Sequence, residues 1–159
     1  MEAKEVMQKA TGYYELGLLH EADMLLAEEV SEPTVEIQHL RILIKVDRAE
    51  WSAAEELSRE AIERFPERAF GYIQCAYALH EMKRTEEAAA LLETVPKDPI
   101  DHLEDVICYN RACYNATLGK REKALDELRE ALAHNTKLIK DALKDPDFES
   151  IRADLEDLY

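Results

Sequence analysis

Two histidine–glutamate pairs, His20-Glu21 and His80-Glu81, are the residues whose types could support metal-dependent hydrolysis. The zinc-protease motif H-E-x-x-H requires a second histidine one helical turn later, so that both imidazoles face one metal ion. Met24 stands at that spacing after the first pair, and Arg84 stands there after the second. We therefore predict that these pairs form neither a metal site nor a catalytic site.

The three cysteines are the remaining candidate nucleophiles or soft metal ligands. Cys108 and Cys113 are five residues apart, which places them about 140° apart around a helix and prevents the two from sharing an ion. Cys75 also lies in apolar helical sequence, so we predict three buried free thiols of a reducing compartment. The sequence has no phosphate-binding loop, glycine-rich dinucleotide turn or Ser/His/Asp ordering, and we predict neither an enzyme nor a cofactor.

The charge of the chain restricts its partners. The 159 residues carry a formal net charge of −15, and a field of this sign repels nucleic-acid phosphates and anionic lipid head groups. A basic or apolar segment of another protein is the expected partner, although the charge could instead serve solubility alone. The acidic start of the chain is followed by no apolar run, and no stretch approaches about 18 apolar residues, so we expect a cytoplasmic protein.

Small residues recur with a period near 34 residues and indicate the elements that position these side chains. A period of this length is typical of a helix–turn–helix solenoid, in which each unit buries its apolar face by stacking on a neighbour. The alanines are needed where helix backbones approach closely. We therefore predict an all-α, right-handed superhelical solenoid of four helix pairs with C-terminal capping helices. The recurring residues are Ala10 and Ala22, Ala54 and Ala61, Ala76 and Ala88, and Ala112, Ala124 and Ala131.

We assign the whole chain, 1–159, to a single domain with repeats at about 3–34, 35–68, 69–104 and 105–138, and a capping tail at 139–159. Gly17 is expected to take a left-handed conformation at the turn within the first repeat. The second repeat fits the common register only if the loop Asp47–Glu50 holds one extra residue. Thr85 is a predicted helix N-cap, and Asp101–Glu104 is a predicted capping box at the start of the fourth repeat.

These residues resemble the tetratricopeptide repeat over almost all of residues 3–138. The fourth repeat has matching residues at six places of the repeat pattern, and the second at four. The second half is also similar to a group of uncharacterised bacterial repeat proteins, through Ala76–Ala88, Tyr109–Tyr114 and Ala142–Phe148. The resemblance implies a bacterial adaptor-like protein. The matching residues are Cys108, Ala112, Gly119, Ala124, Leu128 and Ala131, and Trp51, Ala54, Ala61 and Pro66.

One class within the family can be excluded from the resemblance. Chaperone-binding members hold a C-terminal carboxylate with Lys, Asn and Arg from the first helices of three successive repeats. The corresponding positions here contain neither Lys nor Arg, so we predict no carboxylate clamp. Those positions are Met7, Thr11, Leu40, Phe70 and Gln74 or, one repeat later, His39, Leu43, Gln74, Val106 and Asn110.

The resemblance also implies which residues line the concave groove of the third and fourth repeats. Six of the eight are apolar or aromatic, more than a water-facing groove requires. We predict a non-catalytic adaptor or chaperone-like scaffold whose groove binds an apolar partner segment with basic flanks. Two alternatives remain: the chain's own first or last helix fills the groove, or the protein is a structural homo-oligomer. The eight residues are Phe70, Ile73, Tyr77, His80, Val106, Tyr109, Cys113 and Thr117.

Overall fold

A computed structural model of the protein describes residues 1–158, which form ten helical elements and no strand. Tyr159, the last residue of the predicted tail, lies outside the described residues. The prediction of an all-α solenoid with four helix pairs and C-terminal capping helices is confirmed. The pairs, here units one to four, are α1 (Ala3–Glu15) with α2 (Leu19–Glu29), α3 (Val35–Asp47) with α4 (Trp51–Arg64), α5 (Phe70–Glu81) with α6 (Thr85–Leu92), and α7 (Glu104–Thr117) with α8 (Arg121–His134).

After α8 the chain forms a short helix α9 (Leu138–Ala142) and a 3-10 helix (Pro146–Leu158). We term residues 138–158 the tail. Phe148, Ile151 and Leu155 bury their side chains against α7 and α8, so the tail covers the apolar face that the last unit would otherwise expose. Among residues 1–158, no helix is both long and apolar enough to cross a membrane.

The same backbone turn joins the two helices of every unit. Its central residue has a positive φ in each case: 74° at Gly17, 55° at Ala49, 64° at Lys83 and 75° at Gly119. The amide of this residue donates to the carbonyl three residues earlier, and the next amide donates to the carbonyl five residues earlier. This is the Schellman arrangement that ends a helix at a left-handed residue. The predicted left-handed conformation of Gly17 is confirmed.

The turns show that the predicted extra residue in the loop Asp47–Glu50 is wrong. The connections at 16–18, 48–50, 82–84 and 118–120 all have the same length. The irregularity of the second unit lies instead in a packing residue. Ile42 is fully buried seven residues before the left-handed residue, where the other units have Ala10, Ala76 and Ala112. A large residue at a small-residue position made the apolar stripe look displaced.

The carboxylate of Asp101 caps a different helix from the one predicted. Its two oxygens accept hydrogen bonds from the backbone amides of Ala69 and Phe70, at 2.9 Å and 3.0 Å, at the start of α5. Helix α7 begins after Leu103 without a side-chain cap. The predicted capping box at Asp101–Glu104 is therefore wrong. His102 has a left-handed φ of 50°, so the chain does not continue from Asp101 directly into α7. The loop between α6 and α7 lies against the start of α5 instead.

The core is divided among the interfaces of neighbouring units. One cluster joins α5–α8 with the tail, and another joins α1–α3. Helices α4 and α5 approach so closely at Gly71 that an added Cβ would lie 3.2 Å from the Cβ of Ala61. Each unit thus contacts mainly the units beside it, as in other stacked repeats.

Candidate partner-binding surface

Three of the eight predicted groove residues lie inside the protein. Phe70, Ile73 and Cys113 are 3 %, 5 % and 4 % exposed. The ring of Phe70 packs 4.8 Å from the ring of His39 on α3, and Ile73 packs among residues of α7 and the preceding loop. The neighbouring first helix covers Phe70 and Ile73, whereas Cys113 lies beneath the tail, with its Sγ atom 3.8 Å from Oδ2 of Asp145. They form the floor beneath the groove and are not accessible to a partner.

The other five predicted residues are at least partly accessible. Tyr77 is 37 % exposed, and Thr117 is exposed at the end of α7, where its hydroxyl donates to the carbonyl of Cys113. His80, Val106 and Tyr109 are half-buried. Of these five, Tyr77 presents the largest apolar surface to solvent.

The tail covers the groove of the fourth unit. The ring of Phe148 meets the ring of Tyr109 edge-on at 5.4 Å, and the Tyr109 hydroxyl donates to Asp145 over 2.9 Å. Asp147 reaches α5, where a carboxylate oxygen lies 3.3 Å from Nε2 of His80. The expectation that Tyr109 and Cys113 face an open groove is therefore corrected. The chain's own last element fills this part, as one of the alternatives from the sequence foresaw.

An open cavity remains at the other end of the concave face, between α1 and α3. It has a volume of about 350 Å³, and five of its lining residues are positions considered for the carboxylate clamp. A second cavity of about 650 Å³ adjoins it, since Met7 and Glu36 line both. The first cavity is lined by Met7, Thr11, Tyr14, Glu15, Glu36, His39, Leu40 and Leu43.

Carboxylates and tyrosine hydroxyls lie along the concave face between this cavity and the tail. The Tyr14 hydroxyl donates to Asp47 over 2.6 Å, and this hydrogen bond, with burial and the charge of Asp47, raises the pKa of Tyr14 to about 12. Burial, then the carboxylates of Glu81, Asp147, Asp47 and Asp145, raises the pKa of Tyr77. Burial lowers the pKa of His39, although Asp101 opposes the shift. The open surface is therefore apolar, aromatic and negatively charged.

One group of side chains could hold a metal ion. Cys113, Asp145 and Asp147 place one ligand atom each within 4.8 Å of one another. The sequence did not reveal this set, because the aspartates lie more than thirty residues after the cysteine and only the folded tail brings them together.

Solved structures with the same fold are distant in sequence. A protein titled "MamA MSR-1 C2" aligns with a TM-score of 0.68 and 16 % identity, over 86 % of this chain and 79 % of that one. TTC0263, a thermophilic tetratricopeptide repeat protein of Thermus thermophilus, aligns with a TM-score of 0.72 and 17 % identity, over 94 % and 86 %. No curated protein matches the sequence significantly.

The sequence itself matches a family profile. The profile, described as the tetratrico peptide repeat, matches residues 50–145, which is more than half of the chain. These residues run from the start of α4 to the end of α9 in the tail. A fold of this kind indicates a scaffold for protein–protein interaction. From its four Schellman-linked helix pairs and this match, the chain belongs to the tetratricopeptide repeat family.

Proposed function

We propose that the protein is a non-catalytic adaptor that binds a segment of a partner protein along the concave face, from the α1–α3 cavity to Tyr77. The observation that carries this proposal is the contrast between the two ends of that face. The tail fills the groove at the fourth unit, whereas the cavity between α1 and α3 is open. Apolar surface that is left accessible in a soluble fold commonly marks an interaction site.

The chemistry of the open surface supports an apolar partner segment with basic flanks. Met7 and Leu43 offer partly accessible apolar side chains over the buried Leu40, while Glu15 and Glu36 border the same cavity. No Lys or Arg lines the first cavity among the described residues. Complementary charge raises the rate of encounter more than it lengthens the bound lifetime. Added salt should therefore slow association more than it accelerates dissociation.

The tail supports the idea that this face accepts a helical segment. Phe148, Ile151 and Leu155 are buried at spacings of three and four residues. Amphipathic helices enter hydrophobic grooves through anchors at such spacings. We propose that the partner uses a similar set of anchors. Tyr109, which the tail covers, would join the site only if the tail moved away.

A peptide-library selection on the full chain tests the proposal. We expect recovered peptides to carry apolar anchors and Lys or Arg flanks, and charge-reversed versions to bind at least about tenfold more weakly. The paired variant Met7→Ala with Leu43→Ala should weaken binding by a similar factor. The matched control, Leu16→Ala with Leu18→Ala, changes exposed leucines of the α1–α2 turn and should bind normally. Equal binding by both paired variants would refute the groove as the site.

A structural homo-oligomer is the alternative use of the same surface. Light scattering of the full chain should give the mass of one chain if the groove is free for a partner. A larger mass that Met7→Ala with Leu43→Ala returns to one chain would replace the adaptor proposal with self-association.

We also propose a bacterial, cytoplasmic setting without nucleic-acid or membrane-surface partners. The unpaired thiols of Cys75, Cys108 and Cys113 support a reducing compartment. The net charge of −15 supports the absence of polyanionic partners. A binding assay with mixed DNA, RNA and anionic vesicles at low salt should be negative.

A further inference from the structure

Three side chains able to bind a metal ion converge where the tail crosses α7, and a fourth lies beside one of them. The Sγ atom of Cys113 on α7 and carboxylate oxygens of Asp145 and Asp147 lie within 4.8 Å of one another. Nε2 of His80 on α5 lies 3.3 Å from Asp147. The donors thus come from three separate parts of the chain: α5, α7 and the tail. Thiolate, imidazole and carboxylate together are a ligand set typical of Zn²⁺.

Two of the distances between ligand atoms are close to those around a tetrahedral ion. Two ligands at about 2.0–2.3 Å from zinc lie about 3.3–3.6 Å apart when the angle between them is tetrahedral. Sγ of Cys113 lies 3.8 Å from Oδ2 of Asp145, and Nε2 of His80 lies 3.3 Å from Oδ1 of Asp147. His80 is in hydrogen-bonding distance of Asp147 but of neither other ligand. Cys113, Asp145 and Asp147 therefore form the centre of the site, and a turn of the His80 ring completes it.

Neither carboxylate at this place pairs with a Lys or Arg side chain among residues 1–158. Among residues 1–158, His80 is the one basic side chain that pairs with either carboxylate. The Arg152 guanidinium donates instead to the backbone carbonyls of Leu143 and Asp145. Two partly buried carboxylates next to a thiol are stabilised by a bound cation, which is often the largest local charge in such a site.

The residue that follows Cys113 and packs against His80 carries a buried hydroxyl without a partner. The Tyr114 side chain is 2 % exposed, and its hydroxyl has no hydrogen-bond partner among the described residues. Its ring packs 4.8 Å from the ring of His80. A buried hydroxyl without a partner is costly and is commonly explained by an absent water or ion. A water molecule on a metal ion at His80 would supply that partner.

We propose that Cys113, Asp145, Asp147 and His80 bind a divalent transition metal ion, best matched by Zn²⁺. On binding, the Cys113 thiol releases its proton to solvent and ligates as the thiolate. The ion then links the tail to α5 and α7 and holds it over the fourth unit. The site does not depend on the proposed adaptor function.

Titration with Co²⁺ tests the site, because a cobalt–thiolate bond gives a near-ultraviolet charge-transfer band. The full chain is reduced, freed of metal and titrated in excess Mg²⁺, which occupies non-specific carboxylates. We expect one Co²⁺ per chain, the thiolate band, displacement by Zn²⁺ and a rise in melting temperature on adding Zn²⁺. A band that is absent under these conditions would overturn the proposal.

Variants locate the ion. Cys113→Ser should abolish the band, whereas Cys108→Ser, a control on the same helix, should retain it. Asp147→Asn changes a half-buried side chain and should weaken Co²⁺ binding at least about tenfold while leaving the circular dichroism unchanged. If Cys113→Ser fails to fold, Asp147→Asn decides the question alone. Unchanged affinity in Asp147→Asn, or a band that persists in Cys113→Ser, would refute the site.

Discussion

At the level of single residues, one side-chain hydrogen bond joins α1 to α3 among the described residues, the bond between Tyr14 and Asp47. It joins α1 to α3 over 2.6 Å and raises the pKa of Tyr14 from 10.0 to about 12. A carboxylate accepts this bond only while the phenol keeps its proton. The contact should therefore link the first two units in a pH-dependent way.

We predict that the Tyr14–Asp47 contribution to the free energy of unfolding is fully present below pH 10 and is lost as the pH rises toward 12. The sign follows because the folded state holds the tyrosine proton more tightly than the unfolded state. Tyrosine ¹³Cζ shifts followed by NMR should show Tyr14 titrating late, and Asp47→Asn should move its pKa back toward 10. An unchanged midpoint in Asp47→Asn would contradict this assignment.

Polar side chains show why residue-level prediction from sequence was incomplete. Thr85 was predicted to be a helix N-cap, but Arg84 occupies that position and the Thr85 hydroxyl lies 3.0 Å from Nδ1 of His80. Asp101 likewise caps α5 and not α7. A capping motif is recognised from residues that are close in sequence. A short polar side chain, however, can form its hydrogen bond with any group that the fold places nearby. The buried small residues, whose spacing reflects packing, were predicted far better.

At the level of elements, the four helix turns are equivalent in backbone but not in sequence. Ala49 and Lys83 adopt the left-handed conformation that Gly17 and Gly119 adopt without a Cβ penalty. The penalty for a residue with a Cβ is about 1 kcal/mol or slightly more. Replacement by glycine removes it, although glycine also increases the entropy of the unfolded chain.

We predict that Lys83→Gly raises the free energy of unfolding by up to about 1 kcal/mol and that Gly119→Ala lowers it by about 1 kcal/mol. Lys83 is exposed, and open space surrounds a Cβ at Gly119, so backbone conformation dominates both changes. Urea denaturation measures the two values. Equal midpoints for both variants and the natural chain would show that the turns carry no strain.

Compared with the other units, the second unit has a large residue in its first helix where they have a small one, and a small residue in its second helix where they have a large one. Ile42 stands where the other units have alanine, and Ser58 stands nine residues after the left-handed residue, where they have Leu26, Leu92 and Leu128. Both side chains are fully buried, and the Ser58 hydroxyl has no hydrogen-bond partner among the described atoms. We infer that the isoleucine fills the space that leucine fills elsewhere.

A double-mutant cycle tests this exchange. Ile42→Ala alone should lower the free energy of unfolding by about 2–5 kcal/mol through a cavity, and Ser58→Leu alone by about 1–3 kcal/mol through overpacking. The double variant restores the pattern of the other units and should lose less than the sum, with a coupling of at least about 0.5 kcal/mol. The reference pair in unit three, Ala76→Ile with Leu92→Ser, changes the equivalent positions and should lose stability at both single steps because unit three already follows the common pattern. Additive losses at Ile42 and Ser58 would place the two side chains in separate sites.

At the level of the whole molecule, the stack was predictable but the accessible part of its surface was not. The recurrence of alanines and the apolar face of the tail can both be recognised in the sequence, because each reflects packing between elements that are close along the chain. Whether Phe70 or Tyr109 meets solvent depends on the neighbouring first helix and on where the tail lies, which no repeat pattern encodes. The repeat register assigns the groove residues to the first helices, and the position of the tail determines how much of that surface is covered.

The last prediction concerns how far damage to the tail spreads. The ring of Phe148 is fully buried against Tyr109, so Phe148→Ala should cost about 3–5 kcal/mol by creating a cavity. Because repeat units depend mainly on their neighbours, the loss should be concentrated in the tail and unit four. Hydrogen exchange should show faster amide exchange in the tail, α7 and α8, with the protection of α1–α4 nearly unchanged.

Ile100→Ala, an exposed residue in the α6–α7 loop, is the control and should leave exchange as it is. Uniformly faster exchange in all eight helices would mean that the stack unfolds as one cooperative unit, whereas unchanged exchange in the tail would mean that Phe148 does not hold it in place.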